Sequence, residues 1–265
     1  MNERSKENAF PLDDGANGAK RAVGVGGVLG VLLTGLAVAG LWAAVQTGRE
    51  AWRRTDCAVK LKMIAVALRA YCDANGVLPP AYTVDETGRP LHSWRVLILP
   101  YLESSPLYRE IRLDEPWDSK WNSQFHRLPV SPFACPSSDV ATGADGGAVA
   151  ETTYSVVVGD ETAFPDAGKW RKWKDFADGL SRTLAVVERK TPVCWMDPTR
   201  ELTLETLAAE VGSGHKSGFY AAFFDGSVRF LPATTDAATL KGAATVAGGE
   251  KVGEFERLEP TFAAN

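Results

Sequence analysis

The sequence predicts an α+β fold: one long N-terminal helix followed by a sheet-containing domain. Three observations predict it. Ala22 to Val45 is an apolar run without a charge. Apolar residues then recur at helical spacing as far as Tyr71. Beyond Thr153 the chain carries short β-branched runs and the Asp225-Gly226 pair, a strong hairpin signature.

The run 22–45, closed by Lys20-Arg21 and Arg49, reads as a transmembrane helix. At about 1.5 Å per residue it reaches roughly 36 Å, enough to cross a hydrocarbon layer of about 30 Å. Only a helix is credible there, because a backbone in lipid must satisfy its own hydrogen bonds. A cleaved signal peptide is the rival reading, since Ala37-Val38-Ala39 offers a small-residue cleavage site. Against it, Leu41, Trp42 and Val45 keep the run apolar past that site. Gly26, Gly30 and Thr34, and again Gly35, Ala39 and Ala43, repeat at four-residue spacing, a pattern that suits lateral helix packing.

Residues 1–21 mix both signs of charge with Gly, Asn and Pro, which predicts a disordered cytoplasmic arm. Basic residues flank both ends of the span, so the charge rule alone does not orient it. A short arm before a single span behaves as a signal anchor. This places the N-terminus in the cytoplasm and the C-terminal domain outside the cell (inner) membrane, with membrane lipid as the first partner.

Residues 46–75 continue the helix amphipathically: Cys57, Leu61, Ile64, Leu68 and Tyr71 form one stripe, with Arg53, Lys60, Lys62 and Arg69 on other faces. Asn75-Gly76 supplies a stop and Pro79-Pro80 prevents resumption. An exported α+β domain then fills residues 76–241. Asp85-Glu86-Thr87-Gly88 predicts a hairpin turn, Trp94 to Leu102 has helical spacing, and Ser105-Pro106 reads as a cap and first helical position. Phe133-Ala134-Cys135 reads as a short strand and 137–150 as an exposed loop. Strands are predicted at Thr153–Val158 and Thr183–Val187, a short helix at Leu202–Val211, and a hairpin from Phe219 to Leu231. Asp236 caps a last helical turn, and residues 242–265 read as an irregular tail.

The net charge of −4, with no basic tract, gives no reason to expect nucleic acid. No Ser, Cys or carboxylate stands in the motif context of a catalytic triad, so no enzymatic activity is expected. His92 and His126 read as ordinary polar contacts. Asp114, Glu115, Asp118 and Asn122 form an oxygen-rich cluster suited to calcium, although their spacing matches no EF-hand. His215 and Asp225 are a conceivable metal or acid–base pair, but Asp225-Gly226 has a sufficient structural role in a turn. Four cysteines (Cys57, Cys72, Cys135, Cys194) lie far apart with no C-x-x-C, which argues against zinc and, in an exported domain, permits two disulfides. Spacing does not decide which pairs form.

The segment from Ala44 through FACPSS and SGHKSGFYAAFFDGSVRFL resembles the bacterial prepilin-like family known as domain of unknown function 1559. That family is marked by a His, nine residues, then Asp-Gly, which His215, Asp225 and Gly226 match. The resemblance implies a type IV pilin or pseudopilin-like build, a long helix half in the membrane packed on a small antiparallel sheet, in a surface or type II secretion-like assembly. It implies lateral packing with itself or other pilin-like proteins, and pairing of Cys57 with Cys135 and of Cys72 with Cys194. The chain departs from the family at the processing site: Arg21-Ala22 replaces the usual Gly-Phe, and Gly26 stands where a glutamate is usual. That makes a permanently anchored relative the economical reading. The alternative is a membrane-tethered ectodomain that binds a small ligand or calcium.

Overall fold

The computed structural model describes residues 25–102, 104–136, 149–215 and 217–248, with side chains from Leu33 onward. The predicted arm 1–21 and the tail beyond residue 248 lie outside the described residues. The chain divides into two compact units, residues 1–48 and 49–265. The fold is mixed α+β.

Helix α1 runs Val25–Asn75. It ends where Asn75-Gly76 predicts: Gly76 takes φ 74°, and its N–H donates to the Cys72 carbonyl at 2.8 Å. Residues 33–48 are exposed throughout, among them Leu33, Leu36, Leu41 and Trp42. Among the described residues no helix is long and apolar enough to cross a membrane. The predicted span starts at Ala22, so its first residues fall outside the described ones. From Cys57 onward the helix is amphipathic in fact: Cys57, Leu61, Ile64 and Leu68 are fully buried.

In the second unit, β1 (Tyr82–Val84) and β2 (Pro90–Ser93) form the predicted hairpin. Asp85 shapes its turn by accepting the N–H of Thr87 and Arg89 at 2.8 and 2.9 Å. Pro100 splits the helical stretch after it into α2 (Trp94–Leu97) and a 3-10 turn at Leu99–Tyr101. Helix α3 (Ser105–Glu110) starts one residue earlier than expected, with Ser104 as its cap. Three expectations are corrected. Phe133 closes a 3-10 turn, Ser131–Phe133, rather than opening a strand, because Pro132 occupies its first turn. Leu202 begins β6 (Leu202–Thr203), which pairs parallel with β4 (Val157–Val158), so helix α4 is only Leu207–Glu210. Helix α5 runs Ala237–Ala244 from the Asp236 cap, into what reads from sequence as tail.

The main sheet is antiparallel in the order β3-β5-β7-β8, with β3 at Glu151–Ser155, β5 at Leu184–Cys194, β7 at Gly218–Phe223 and β8 at Val228–Pro232. Its two faces are sorted by the two-residue period of a strand. Tyr220 and Ala222 join the core that holds Cys57, Leu61 and Ile64 of α1. Phe219, Ala221 and Phe223 join a second core with Leu207 of α4 and Leu240 and Ala243 of α5. Both faces of β7 and of the first part of β5, Leu184 to Val187, are therefore covered, which is why these stretches are continuously apolar. The Asp225-Gly226 hairpin forms, but with a three-residue loop. Gly226 N–H donates to Phe223 O and Phe223 N–H to Ser227 O, each at 2.9 Å, and Gly226 takes φ 84° as the bulge residue.

A buried ion pair braces the edge of the first core. Arg95 on α2 meets Glu201 at 2.5 Å with both side chains almost wholly excluded from solvent. Arg95 also donates to the Tyr154 carbonyl, and Glu201 accepts the Val156 N–H at 3.0 Å. Glu201→Gln keeps the shape and leaves the guanidinium without its counter-charge. It should cost about 3 kcal/mol, measured by urea unfolding; a loss below about 1 kcal/mol would show that the pair is not a brace.

Candidate functional site

Among the described residues, a concentrated group of ligating and titratable side chains lies where α1 crosses the centre of the sheet. β5 contributes Glu188, whose cross-strand partner on β3 is Tyr154. Strand alternation aims Glu188 at the α1 side, in the middle of the first core, and it is fully buried. α1 contributes Cys57, which forms a disulfide with Cys135 from the segment after the Ser131–Phe133 turn, with Cα atoms 5.4 Å apart. The segment leading into β7 contributes His215, and α1 contributes Glu50, the first residue after the exposed stretch.

The contacts are directional. His215 Nδ1 lies 2.9 Å from Glu50 Oε1. The carboxylate can only accept, so Nδ1 carries the proton. Burial works to raise the Glu50 pKa, but hydrogen bonds from His215 and Arg54 outweigh it and hold the carboxyl below its ordinary value. Nε2 on the far side of the ring is buried without a hydrogen-bond partner, 4.0 Å from Glu188 Oε1. The edges of Tyr220 and Phe230 fix the ring, with centroids 5.4 and 6.2 Å away. Glu188 Oε2 accepts the Tyr220 N–H at 2.7 Å, which leaves Oε1 facing Cys135 Sγ at 3.3 Å. A disulfide sulfur has no proton to give, so a hydrogen bond there requires Glu188 to donate as the acid. Burial pushes the Glu188 pKa up to about 8, which agrees with a protonated carboxyl. Tyr154, buried beside the same carboxylate, has its hydroxyl pKa raised well above the ordinary value, first by burial and then by Glu188.

The structure separates His215 from Asp225 in role. Asp225 shapes its own turn, accepting the Ser227 N–H at 2.8 Å, while Lys62 of α1 donates to the Gly226 carbonyl at 2.5 Å. His215 instead serves the cluster beneath α1. Three residues of the predicted calcium set hold protein partners in this structure. Glu115 pairs with Arg112 at 2.8 Å and Asp118 with Arg89 at 3.1 Å. The Asn122 amide is fully buried and bonds the backbone of Arg112, Glu115 and Pro116 at 2.9 to 3.2 Å. Asp114 is exposed. His92 and His126 are the polar contacts expected, reaching the carbonyls of Arg112 and Trp117 at 3.2 and 2.9 Å. Of the two implied disulfides the first forms. Cys72 and Cys194 are free thiols, a correction to the second: Cys72 packs into the first core as a small apolar residue, and burial raises its pKa to about 11.

A family model described as "Protein of unknown function (DUF1559)" matches residues 46–202, more than half of the chain. The chain belongs to this family. No curated protein and no solved structure matches it. The matched part of this DUF1559 chain holds Glu50, Cys57, Cys135 and Glu188, while His215 lies beyond it. Glu188 and Glu50 were not singled out by sequence reasoning. The available signal was one carboxylate directly after the run TLAVV, inside a strand that continues to Cys194.

Proposed function

We propose that this DUF1559 member is a membrane-anchored, pilin-like structural or interaction protein with an exported C-terminal domain and no enzymatic activity. The observation that carries this reading is the exposed apolar stretch of α1, where Leu33, Leu36, Val38, Leu41 and Trp42 are each more than half exposed. A row of large apolar side chains with no cover among the described residues calls for lipid or another helix. The sequence extends the same composition back to Ala22. Gly35 and Gly40 have open space where a side chain would stand, which suits close approach of a second helix.

Fractionation with protease accessibility tests the proposal. The full chain is expected to pellet with membranes, to resist salt extraction and to dissolve in mild detergent. Its C-terminal domain should be cleaved only by protease added outside the cytoplasmic compartment, and mass spectrometry should find an uncut N-terminus. A chain that is freely soluble without detergent and retains residues 1–45 would overturn it.

A further inference from the structure

We propose that Cys57, Cys135, Glu188 and His215, once the disulfide is reduced, bind one divalent cation of the zinc class. The four donor atoms lie within 4.8 Å of one another and all four residues are buried. Tetrahedral zinc with bonds of about 2.0–2.3 Å places neighbouring donors roughly 3.3–3.8 Å apart, so small side-chain movements suffice. The donor set of two thiolates, one imidazole nitrogen and one carboxylate oxygen selects a borderline-soft ion over calcium or magnesium.

What distinguishes this group from a chance meeting of side chains is the shell around it. A metal-bound histidine commonly gives its other ring N–H to a carboxylate, which fixes tautomer and orientation. His215 does this with Glu50 at 2.9 Å, and its Nε2 is left buried without a partner on the side facing Glu188. Glu188 is held in the same manner: the Tyr220 N–H takes Oε2 at 2.7 Å, and Oε1 faces sulfur and imidazole. Each ligand comes from a different part of the fold, so binding would tie α1, β5 and the approaches to β7 together. A cleft of about 190 Å³ lined by Gly212, Ser213, His215 and Phe219 borders the site.

Bridge and ion exclude each other, because both need the two sulfurs. Opening the bridge consumes two electrons and two protons: a dithiol supplies both and becomes a disulfide, whereas a phosphine supplies the electrons and becomes its oxide, taking the oxygen from a water that supplies the two protons. The cation then displaces the thiol protons and any proton on Glu188 to solvent; reoxidation by a small-molecule disulfide, which takes up the two electrons and two solvent protons and leaves as two thiols, re-forms the bridge and releases the ion. This site does not depend on the membrane reading.

The test uses the full chain in mild detergent, once oxidised and once reduced with a phosphine, equilibrated with zinc alone or cobalt alone. The reduced chain is expected to hold one zinc per chain and the oxidised chain at least about 100-fold less tightly. Cobalt should give tetrahedral visible bands with thiolate charge transfer in the near ultraviolet. His215→Ala should weaken zinc by about 100-fold and alter those bands. Glu50→Gln, a positioning change, should weaken it by about 10- to 100-fold while the bands persist, and it decides the matter if His215→Ala does not fold. No stoichiometric zinc in the reduced chain, or unchanged affinity in both variants, would overturn the site.

Discussion

Replacing Glu188 with glutamine should stabilise the metal-free, disulfide-bonded chain at alkaline pH, by as much as about 5 kcal/mol above about pH 8.5. The cause is a carboxyl that folding buries completely and whose pKa rises from 4.5 to about 8. Between those two values the folded state binds a proton that the unfolded state has lost. Stability from this group is therefore full below about pH 4.5, falls as pH rises, and is gone above about pH 8. Glutamine keeps an oxygen for the Tyr220 N–H and removes the titration. The facing groups, His215, Glu50, Arg54, Tyr154 and Tyr220, remain in both proteins, so the difference between the two stability curves isolates position 188. Other sites act in the opposite sense: burial lowers the His92 pKa, so that residue favours the fold as pH rises past its ordinary value. Urea unfolding from about pH 5 to pH 9 is the measurement. Parallel curves for the two proteins would show that Glu188 does not carry a buried proton.

Removing the bridge is expected to have an effect nearly as large, in the destabilising direction. The cysteines are 78 residues apart, and closing a loop of that size restricts the unfolded chain by about 4–5 kcal/mol. Both sulfurs lie in the first core, so alanine at each position adds a small packing loss. The Cys57→Ala, Cys135→Ala double variant, compared with the oxidised chain in the presence of a chelator, should melt roughly 10–15 °C lower. A shift of less than about 3 °C would mean that the unfolded chain is already confined without the bond.

What could be read from the residues, and what could not, follows from the range of the interactions involved. The length of α1, its stop at Gly76, the turn at Asp85 and the β7–β8 hairpin depend on neighbours in sequence, and composition and periodicity report those directly. The three-residue loop around Gly226 differs from the two-residue form through the pairing of Phe223 with Ser227, a choice that Asp-Gly permits without dictating. Leu202 is a strand residue only because Val157 offers it a parallel partner far along the chain. The cluster under α1 was hidden for the same reason: Glu50 and His215 are 165 residues apart, and only the folded register brings them to 2.9 Å. A carboxylate continuing the run TLAVV looks like the end of a strand, because burial of an acid is decided by what covers it. The resemblance supplied the Cys57–Cys135 pairing, whereas Cys72 and Cys194 became core and partly buried thiols without a bond.

The bridge from Cys57 to Cys135 encloses the turn Asp85–Gly88, exposed at Glu86, Thr87 and Gly88. A single backbone cut in that turn therefore yields two polypeptides that still migrate as one on a non-reducing gel and separate only after thiol treatment. Intactness judged without reductant would overlook such nicking.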